Sequence, residues 1–220
     1  MTKKLIIYGA AEMAEIANYY FINDSDHVVS AFTVDGEYLK EDMFCNKPTI
    51  AFEDVLKIYP IEDNYLFIAL SYSKTNSIRK EKFNLGKSMG YSMASYISTK
   101  SSIMSDDYGE NCFILEDNTI QPFVSIGNNV TMWSGNHIGH HSKVGDHCFI
   151  SSHVVVSGGV TIGESCFLGV NATLRDHITI GESCVIGAGA TILSDAEPNG
   201  VYVNKETERS KIPSSRLRKI

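Results

Sequence analysis

The sequence predicts a chain in two parts, a small parallel α/β domain followed by a parallel β-helix built from hexapeptide turns. Two observations carry this reading. From Ile114 onward every sixth residue is aliphatic or Met for fourteen consecutive positions, through Ile120, Ile126, Met132 and Ile138 to Ile186 and Ile192. Before that run, short apolar stretches such as Leu5-Ile6-Ile7-Tyr8 alternate with amphipathic ones. A strict hexad matches neither the helical period nor strand alternation, and it is the repeat of a parallel β-helix. Strands that alternate with helices imply a parallel sheet with crossovers.

Each hexad is expected to form one short strand and one corner, so that three hexads close a triangular coil. The aliphatic residue points into the prism. A second inward place lies four residues later, at Val130, Ser142, Cys148, Val154 and onward to Ala190. Gly follows the aliphatic directly at 127, 139, 145, 163, 169, 181 and 187, where it is expected to relieve steric limits at the turn. A single coil cannot bury its own apolar edge, so coils stack and share a core. Residues 114–193 make about four to five coils in an uninterrupted register. Cys112, Cys148, Cys166 and Cys184 fall on one register with Val130. A metal or redox ladder is one reading of them and apolar filler the other. The absence of a CxxC pair or zinc spacing favours filler.

A length of 220 residues accommodates one large or two small domains. A formal charge of −7 argues against a nucleic-acid surface. Five cysteines without framework spacing point to a reducing compartment. The N-terminus lacks a signal-peptide apolar region, and no apolar run is long enough to span a membrane. A cytoplasmic protein is expected.

In the first part, Leu5–Tyr8 reads as a buried strand, residues 10–21 as a helix and Val28–Val34 as a second strand. Lys47–Ile50 leads into a helix at Phe52–Leu56. Tyr65–Leu70 is a third strand, Ser77–Met89 a helix and Tyr91–Ile97 a last strand. Ligands on such sheets sit at the carboxyl ends of strands. The turn after the first strand holds Gly9, Ala10 and Ala11. The dinucleotide pattern G-x-G-x-x-G requires Gly at 9, 11 and 14, and here Ala11 and Ala14 fill two of those places. The turn is therefore either a phosphate site at a helix N-terminus or a plain α/β turn. Asp35, after the second strand, is either a sugar or base acceptor or a solvated carboxylate. Arg79 precedes or opens a helix, where it either pairs with a phosphate or shares a solvated face with Lys80 and Lys82. The boundary between the parts is placed near residue 100, with the first coil starting between Ile103 and Ile114.

Six of the seven histidines lie in the β-helix, at 137, 140, 141, 147, 153 and 177. His141, His147, His153 and His177 share the fourth hexad place, so a repeat position that tolerates polar groups explains much of the pattern. His140 alone takes the third place of its hexad. It is either a face residue or, as a neutral imidazole, a general base.

The segment SGNHIGHHSKVGDHCFISSHVVVSGGVTIGESCFLGVNATLRDHITIGESCVIGAGATIL, taken with LIIYGAAEMAEIA near the start, resembles the left-handed β-helix acyltransferases. Over residues 3–204 the chain is similar to their bacterial nucleotide-sugar branch, the sialic acid O-acetyltransferases and the bacillosamine and perosamine N-acetyltransferases. The resemblance implies a Rossmann-like nucleotide-sugar domain over 1–100, a left-handed β-helix acyltransferase domain over 101–195 and a C-terminal tail over 196–220. It implies acetyl-CoA as cosubstrate and no metal. The partners implied are a nucleotide-linked amino sugar and two further copies in a homotrimer, with the acyl-CoA groove between subunits. By the family's pattern His140 is the general base in direct attack, and the family's acidic partner falls on His141, a departure. CoA contacts fall on Gly158, Val170, Gly187 and Ala188. Substrate contacts fall on Gly9, Ala10, Ala11 and Asp35, and on Arg79. The family's C-terminal Gly-x-Pro-Ala turn is missing from Val201–Thr207, and a basic tail follows at Arg216-Leu217-Arg218-Lys219. The implied reaction is N-acetyl transfer to an amino sugar for surface polysaccharide or glycan synthesis. Sugar O-acetyl transfer, a non-catalytic β-helix binding protein, and a zinc-dependent β-helix of the carbonic-anhydrase kind are the alternatives.

Overall fold

The structure, a computed structural model, describes residues 3–216. Its first part is a sheet of β1 (Lys3–Tyr8), β2 (His27–Val34), β3 (Met43–Phe44), β4 (Lys47–Ala51), β5 (Asn64–Ile68) and β6 (Ser92–Met93), in the order β3-β4-β2-β1-β5-β6. All neighbours run parallel except the short β3–β4 hairpin. The period of a strand decides which helix covers which face. Leu5 and Ile7 of β1 pack with Ala14, Ala17 and Phe21 of α1 (Glu12–Asn23). Ile6 and Tyr8 pack on the other face with Val55 of α2 (Val55–Ile58) and Phe83 of α3 (Ser77–Ser88). The expected lead-in at Lys47–Ile50 is itself a strand, β4, paired with β2.

From Tyr96 the chain coils. One face of the prism stacks strands at 96–97, 113–114, 131–132, 149–150, 167–168, 185–186 and 201–202. The second face stacks 102–103, 119–120, 137–138, 155–156, 173–174 and 191–192, and the third 125–126, 143–144, 161–162 and 179–180. The rung pairs are parallel and in register, so each inward aliphatic sits on another, as Met132 does on Ile114 and Ile150. These side chains are almost wholly buried, and so are the four cysteines of the ladder. The cysteine ladder is apolar filler, with the Cys148 thiol 3.1 Å from the Gly163 carbonyl oxygen.

The expectations for the last strand and for both ends of the coiled region are corrected. The strand expected over Tyr91–Ile97 splits, Ser92–Met93 closing the α/β sheet and Tyr96–Ile97 opening the prism. The first coil therefore starts at Tyr96, ahead of Ile103. It escaped the hexad because Ile97 pairs with Ile114 and Ile103 with Ile120, one residue short of the repeat. Coiling also continues past 193, because Val201–Tyr202 pairs with Val185–Ile186, two residues short.

The steric limit expected at the glycines is set by the next coil. The residues after the aliphatic do not have positive φ. A Cβ at Gly145 would stand 2.7 Å from the backbone N of Glu164, and one at Gly163 2.5 Å from that of Glu182. Glycine is needed there because the next coil leaves no room. The left-handed turn residue lies elsewhere: every sixth residue from Asn111 to Gly189 has positive φ. That conformation costs roughly 1–2 kcal/mol for an ordinary side chain and least for Gly, Asn, Asp and His. It is the place that His141, His147, His153 and His177 share.

The two parts are joined through buried polar groups. Asn111 accepts the Ile68 N–H at 2.7 Å, and Asn76 donates to the Cys166 carbonyl at 3.1 Å. Tyr72 packs edge-on against Phe149, and Tyr20 donates to Glu116 at 2.7 Å. The α/β part therefore lies on the first face of the prism. The corner between the second and third faces, residues 139–142, is the one opposite.

Candidate active site

At that opposite corner the chain sets two imidazoles side by side on the surface. His140 Nδ1 lies 3.1 Å from His141 Nδ1, with the rings nearly perpendicular. The coil on one side supports them. The His140 N–H donates to Gln121 Oε1 at 2.9 Å, the His141 N–H donates to the Pro122 carbonyl at 3.3 Å, and the Phe123 ring lies 4.7 Å from that of His141. The coil on the other side makes room. The Gly159 N–H donates to the His140 carbonyl at 2.8 Å, and the missing Cβ of Gly158 lets the His140 ring lie against the backbone. With Nδ1 occupied by its neighbour, His140 Nε2 is the ring nitrogen left for an incoming group.

The other candidate acyl-donor residues lie apart from this corner within the chain. Val170, Gly187 and Ala188 cluster on the corner between the first and second faces, where the Gly189 N–H donates to the Val170 carbonyl at 2.8 Å. Gly158 is on the corner with His140, and the second face separates the two groups.

In the α/β part the direction of chain progression reverses between β1 and β5, where such sheets hold ligands. A cleft of about 580 Å³ opens there, lined by Ala11, Met13, Ser71 and Tyr72 and closed on the prism side by Trp133 and Phe149. The Trp133 indole N–H is buried in this wall without a protein partner. Gly9 is required at the turn. Its φ is +129°, and a Cβ would meet the Ala69 carbonyl oxygen at 2.9 Å. Ala10 lines a second cavity, of about 280 Å³, together with Val34, Tyr38 and Phe44. No side chain caps the start of α1, and Glu12 and Glu15 occupy its first turn.

Asp35 is engaged rather than solvated. It accepts from the Tyr8 hydroxyl at 2.7 Å and pairs with Lys82 Nζ at 2.7 Å. Burial and this carboxylate together push the Tyr8 hydroxyl well above its ordinary value.

Arg79 is corrected. It is 1% exposed, and its guanidinium donates to Thr131 Oγ1 and to the carbonyls of His147 and Cys148 at 3.2 and 3.0 Å. Burial lowers its pKa to about 10, so it stays cationic at neutral pH. Helix α3 turns it inward to join the prism, which puts it out of reach of a phosphate. The basic residue that does face Asp35 is Lys82.

Sequence reasoning missed Gln121, Pro122 and Phe123 beneath the imidazoles. One signal was available: Phe123 occupies the fourth hexad place, which is otherwise held by small or polar residues and histidine. The cleft wall at Trp133 and Phe149 left no local signal, because it forms only when the two parts meet. Among the described residues no group of three or more His, Cys, Asp or Glu side chains is arranged to hold a metal ion. No described helix is long and apolar enough to cross a membrane. Arg216 ends a short turn, and Leu217, Arg218 and Lys219 lie outside the described residues.

Residues 159–194 match the family model described as bacterial transferase hexapeptide (six repeats). No curated protein sequence matches the chain. Solved structures share the whole fold at low identity. The acetyltransferase domain of PglB from Neisseria gonorrhoeae, in complex with acetyl coenzyme A, superposes with a TM-score of 0.80 at 18% identity, covering 93% of this chain and 97% of that one. PerB from Caulobacter crescentus, in complex with CoA and GDP-perosamine, gives 0.80 at 20% identity over 93% and 95%. WeeI from Acinetobacter baumannii gives 0.61 at 19% over 92% and 97%. The chain thus carries the bacterial transferase hexapeptide repeat at residues 159–194, within a fold shared almost end to end with an acetyltransferase domain and with a protein solved with CoA and a nucleotide sugar.

Proposed function

We propose that the chain is an acyl-CoA-dependent N-acyltransferase that moves an acetyl group from acetyl-CoA to the amine of a nucleotide-linked sugar. The α/β part serves as a Rossmann-like nucleotide-sugar domain, and the prism from Tyr96 to Tyr202 serves as a left-handed β-helix acyltransferase domain. The observation that carries the reading is the exposed His140 imidazole, with Nδ1 engaged by His141 and Nε2 open beside the bare backbone of Gly158. In the step proposed, the sugar nitrogen attacks the thioester carbonyl and forms the amide bond. His140 Nε2 takes the nitrogen's proton, and the C–S bond breaks to release CoA as the thiolate. No acyl-enzyme forms. A positioned base of this kind is worth roughly a hundredfold or more in rate.

The same geometry favours an oligomer. The α/β cleft and the His140 corner lie on opposite sides of one prism, and Gly158 is a corner away from Val170, Gly187 and Ala188. A homotrimer brings the corner of one copy to the α/β part of the next and forms the acyl-CoA groove between them. Gly9, Ala10, Ala11 and Asp35 then hold the nucleotide at the carboxyl ends of β1 and β2. Use of CoA as donor supports a cytoplasmic reaction.

The test is CoA release by wild type and His140→Ala over UDP-, dTDP- and GDP-linked amino sugars and their hydroxyl counterparts. Turnover of one amino sugar, lost about a hundredfold or more in His140→Ala, supports the reading. Turnover of the hydroxyl sugars alone makes the chain an O-acetyltransferase. Undiminished activity in His140→Ala removes His140 as the base.

A further inference from the structure

The left-handed corner place carries one residue that does not suit it. Along the prism it holds Asn, Asp, Ser, Gly or His, except at Phe123, where φ is 66°. A bulky side chain in this region is an outlier, and such outliers persist at functional sites where surrounding structure enforces them. Burial does not explain it, because Phe123 is 72% exposed in the chain. What the ring does contact is the imidazole of His141 in the next coil, with centroids 4.7 Å apart and planes at 38°.

The chemistry of the His140–His141 pair makes that contact consequential. Two ring nitrogens 3.1 Å apart form a hydrogen bond only if one carries a proton and the other does not. If His141 donates, neutral His140 carries its own proton on Nε2 and has no lone pair there. If His140 donates from Nδ1, its Nε2 lone pair is free. When Nε2 then takes a proton, the new imidazolium keeps a neutral acceptor at Nδ1. Only the second arrangement is a base at the open nitrogen. It requires His141 to keep Nδ1 turned toward His140 while its own proton resides on Nε2. His141 stands on an exposed corner, where its backbone N–H is tied to the Pro122 carbonyl.

We propose that Phe123 is a positioning residue for this pair. Its ring holds the His141 imidazole so that Nδ1 of His141 accepts the Nδ1–H of His140, a neutral acceptor taking the place of a carboxylate. The proposal rests on the reading of His140 as the base. It assigns a role to a strained aromatic that touches neither the proton nor, on this account, the substrates.

Phe123→Asn tests it, since Asn suits the left-handed place and removes the ring. Phe123→Tyr keeps the ring. In Phe123→Asn the melting temperature is expected to hold or rise, kcat to fall about tenfold, and KM for acetyl-CoA and for the amino sugar turned over by wild type to stay within about twofold. Phe123→Tyr restores kcat. Imidazole ¹⁵N NMR of the free protein gives a second readout that needs no substrate. It should find His140 protonated at Nδ1 in wild type and Phe123→Tyr, and averaged tautomers in Phe123→Asn. Wild-type kcat and an unchanged tautomer in Phe123→Asn overturn the proposal. A marked drop in melting temperature shows a merely structural ring, and a raised KM for acetyl-CoA at constant kcat shows a direct donor contact; either also overturns it. His140→Ala measured in parallel separates the two ideas. Retained activity there defeats the base assignment, while the tautomer measurement still decides what Phe123 does.

Discussion

Gly158 lies against the imidazole of His140, so closely that a Cβ built there would stand 2.7 Å from Cε1 and 2.8 Å from Nε2. The clash falls on the end of a surface side chain, which can swing away. Gly158 does not need a left-handed backbone, so an alanine is compatible with its conformation and restricts the unfolded chain. Gly158→Ala is therefore expected to keep stability within about 1 kcal/mol while displacing the ring from its partner. The rate should fall at least tenfold, as misplacing a catalytic group by an ångström does. Melting temperature and kcat on one preparation check this. An active Gly158→Ala enzyme means that the ring position seen here is not the working one.

Arg79 permits a sharper test of what a buried cation does. No described carboxylate pairs with it, and its Nε lacks a partner. Its stability rests on the fork of bonds to Thr131, His147 and Cys148. Lysine would keep the charge and lose the fork, leaving a desolvated ammonium with fewer bonds. Methionine would remove the charge and leave polar acceptors, each costing roughly 1–3 kcal/mol if unpaired. The Cys148 carbonyl keeps its bond from the Thr131 N–H in either case. Arg79→Lys should thus be the more destabilising, by about 3 kcal/mol or more, and Arg79→Met the milder. Denaturant unfolding of both variants gives the order. Neither should change KM for the acceptor sugar more than twofold; a large rise in Arg79→Met would return this residue to the substrate site.

The repeat was legible because each inward position must be apolar wherever coils stack. That requirement is local, periodic and repeated from Ile114 to Ile192. The ends were not, because the coil at Ile97 and Ile103 is one residue short and the coil at Tyr202 two residues short, which erases the period without unpairing the strands. The glycines were visible as places where Cβ is forbidden, and only the stacked coil shows that a neighbour's backbone is what forbids it. His140 stood out by its odd hexad place. Arg79 misled because the face a helix presents to a second domain depends on how that domain docks. Trp133 and Phe149 became a cleft wall for the same reason.

The pH dependence of stability should trace to His147, the buried member of the fourth-place histidines. It is 5% exposed, Asn129 Nδ2 lies 2.9 Å from its Nδ1, and Phe83 packs on its ring. Asn129 can donate only if Nδ1 is unprotonated, so the structure holds the neutral form with its proton on Nε2. Burial first, and then the nearby Lys80 and Arg79 cations, lower its pKa from the ordinary 6.5 to about 4. Between those values the unfolded chain binds a proton that the folded one refuses. The stabilising contribution is therefore complete above pH 6.5 and shrinks as pH falls toward 4. The loss is on the order of 3 kcal/mol across that window. His147→Asn keeps an acceptor for Asn129 and suits the positive φ of the position, but it has nothing to titrate. Unfolding free energies at pH 7 and pH 4.5 should diverge for wild type by about 2–3 kcal/mol more than for His147→Asn. Carboxylates titrate equally in both proteins and cancel in that difference. Parallel pH profiles for the two would mean that His147 is already protonated in the fold, and that the Asn129 side chain meets it through its oxygen instead.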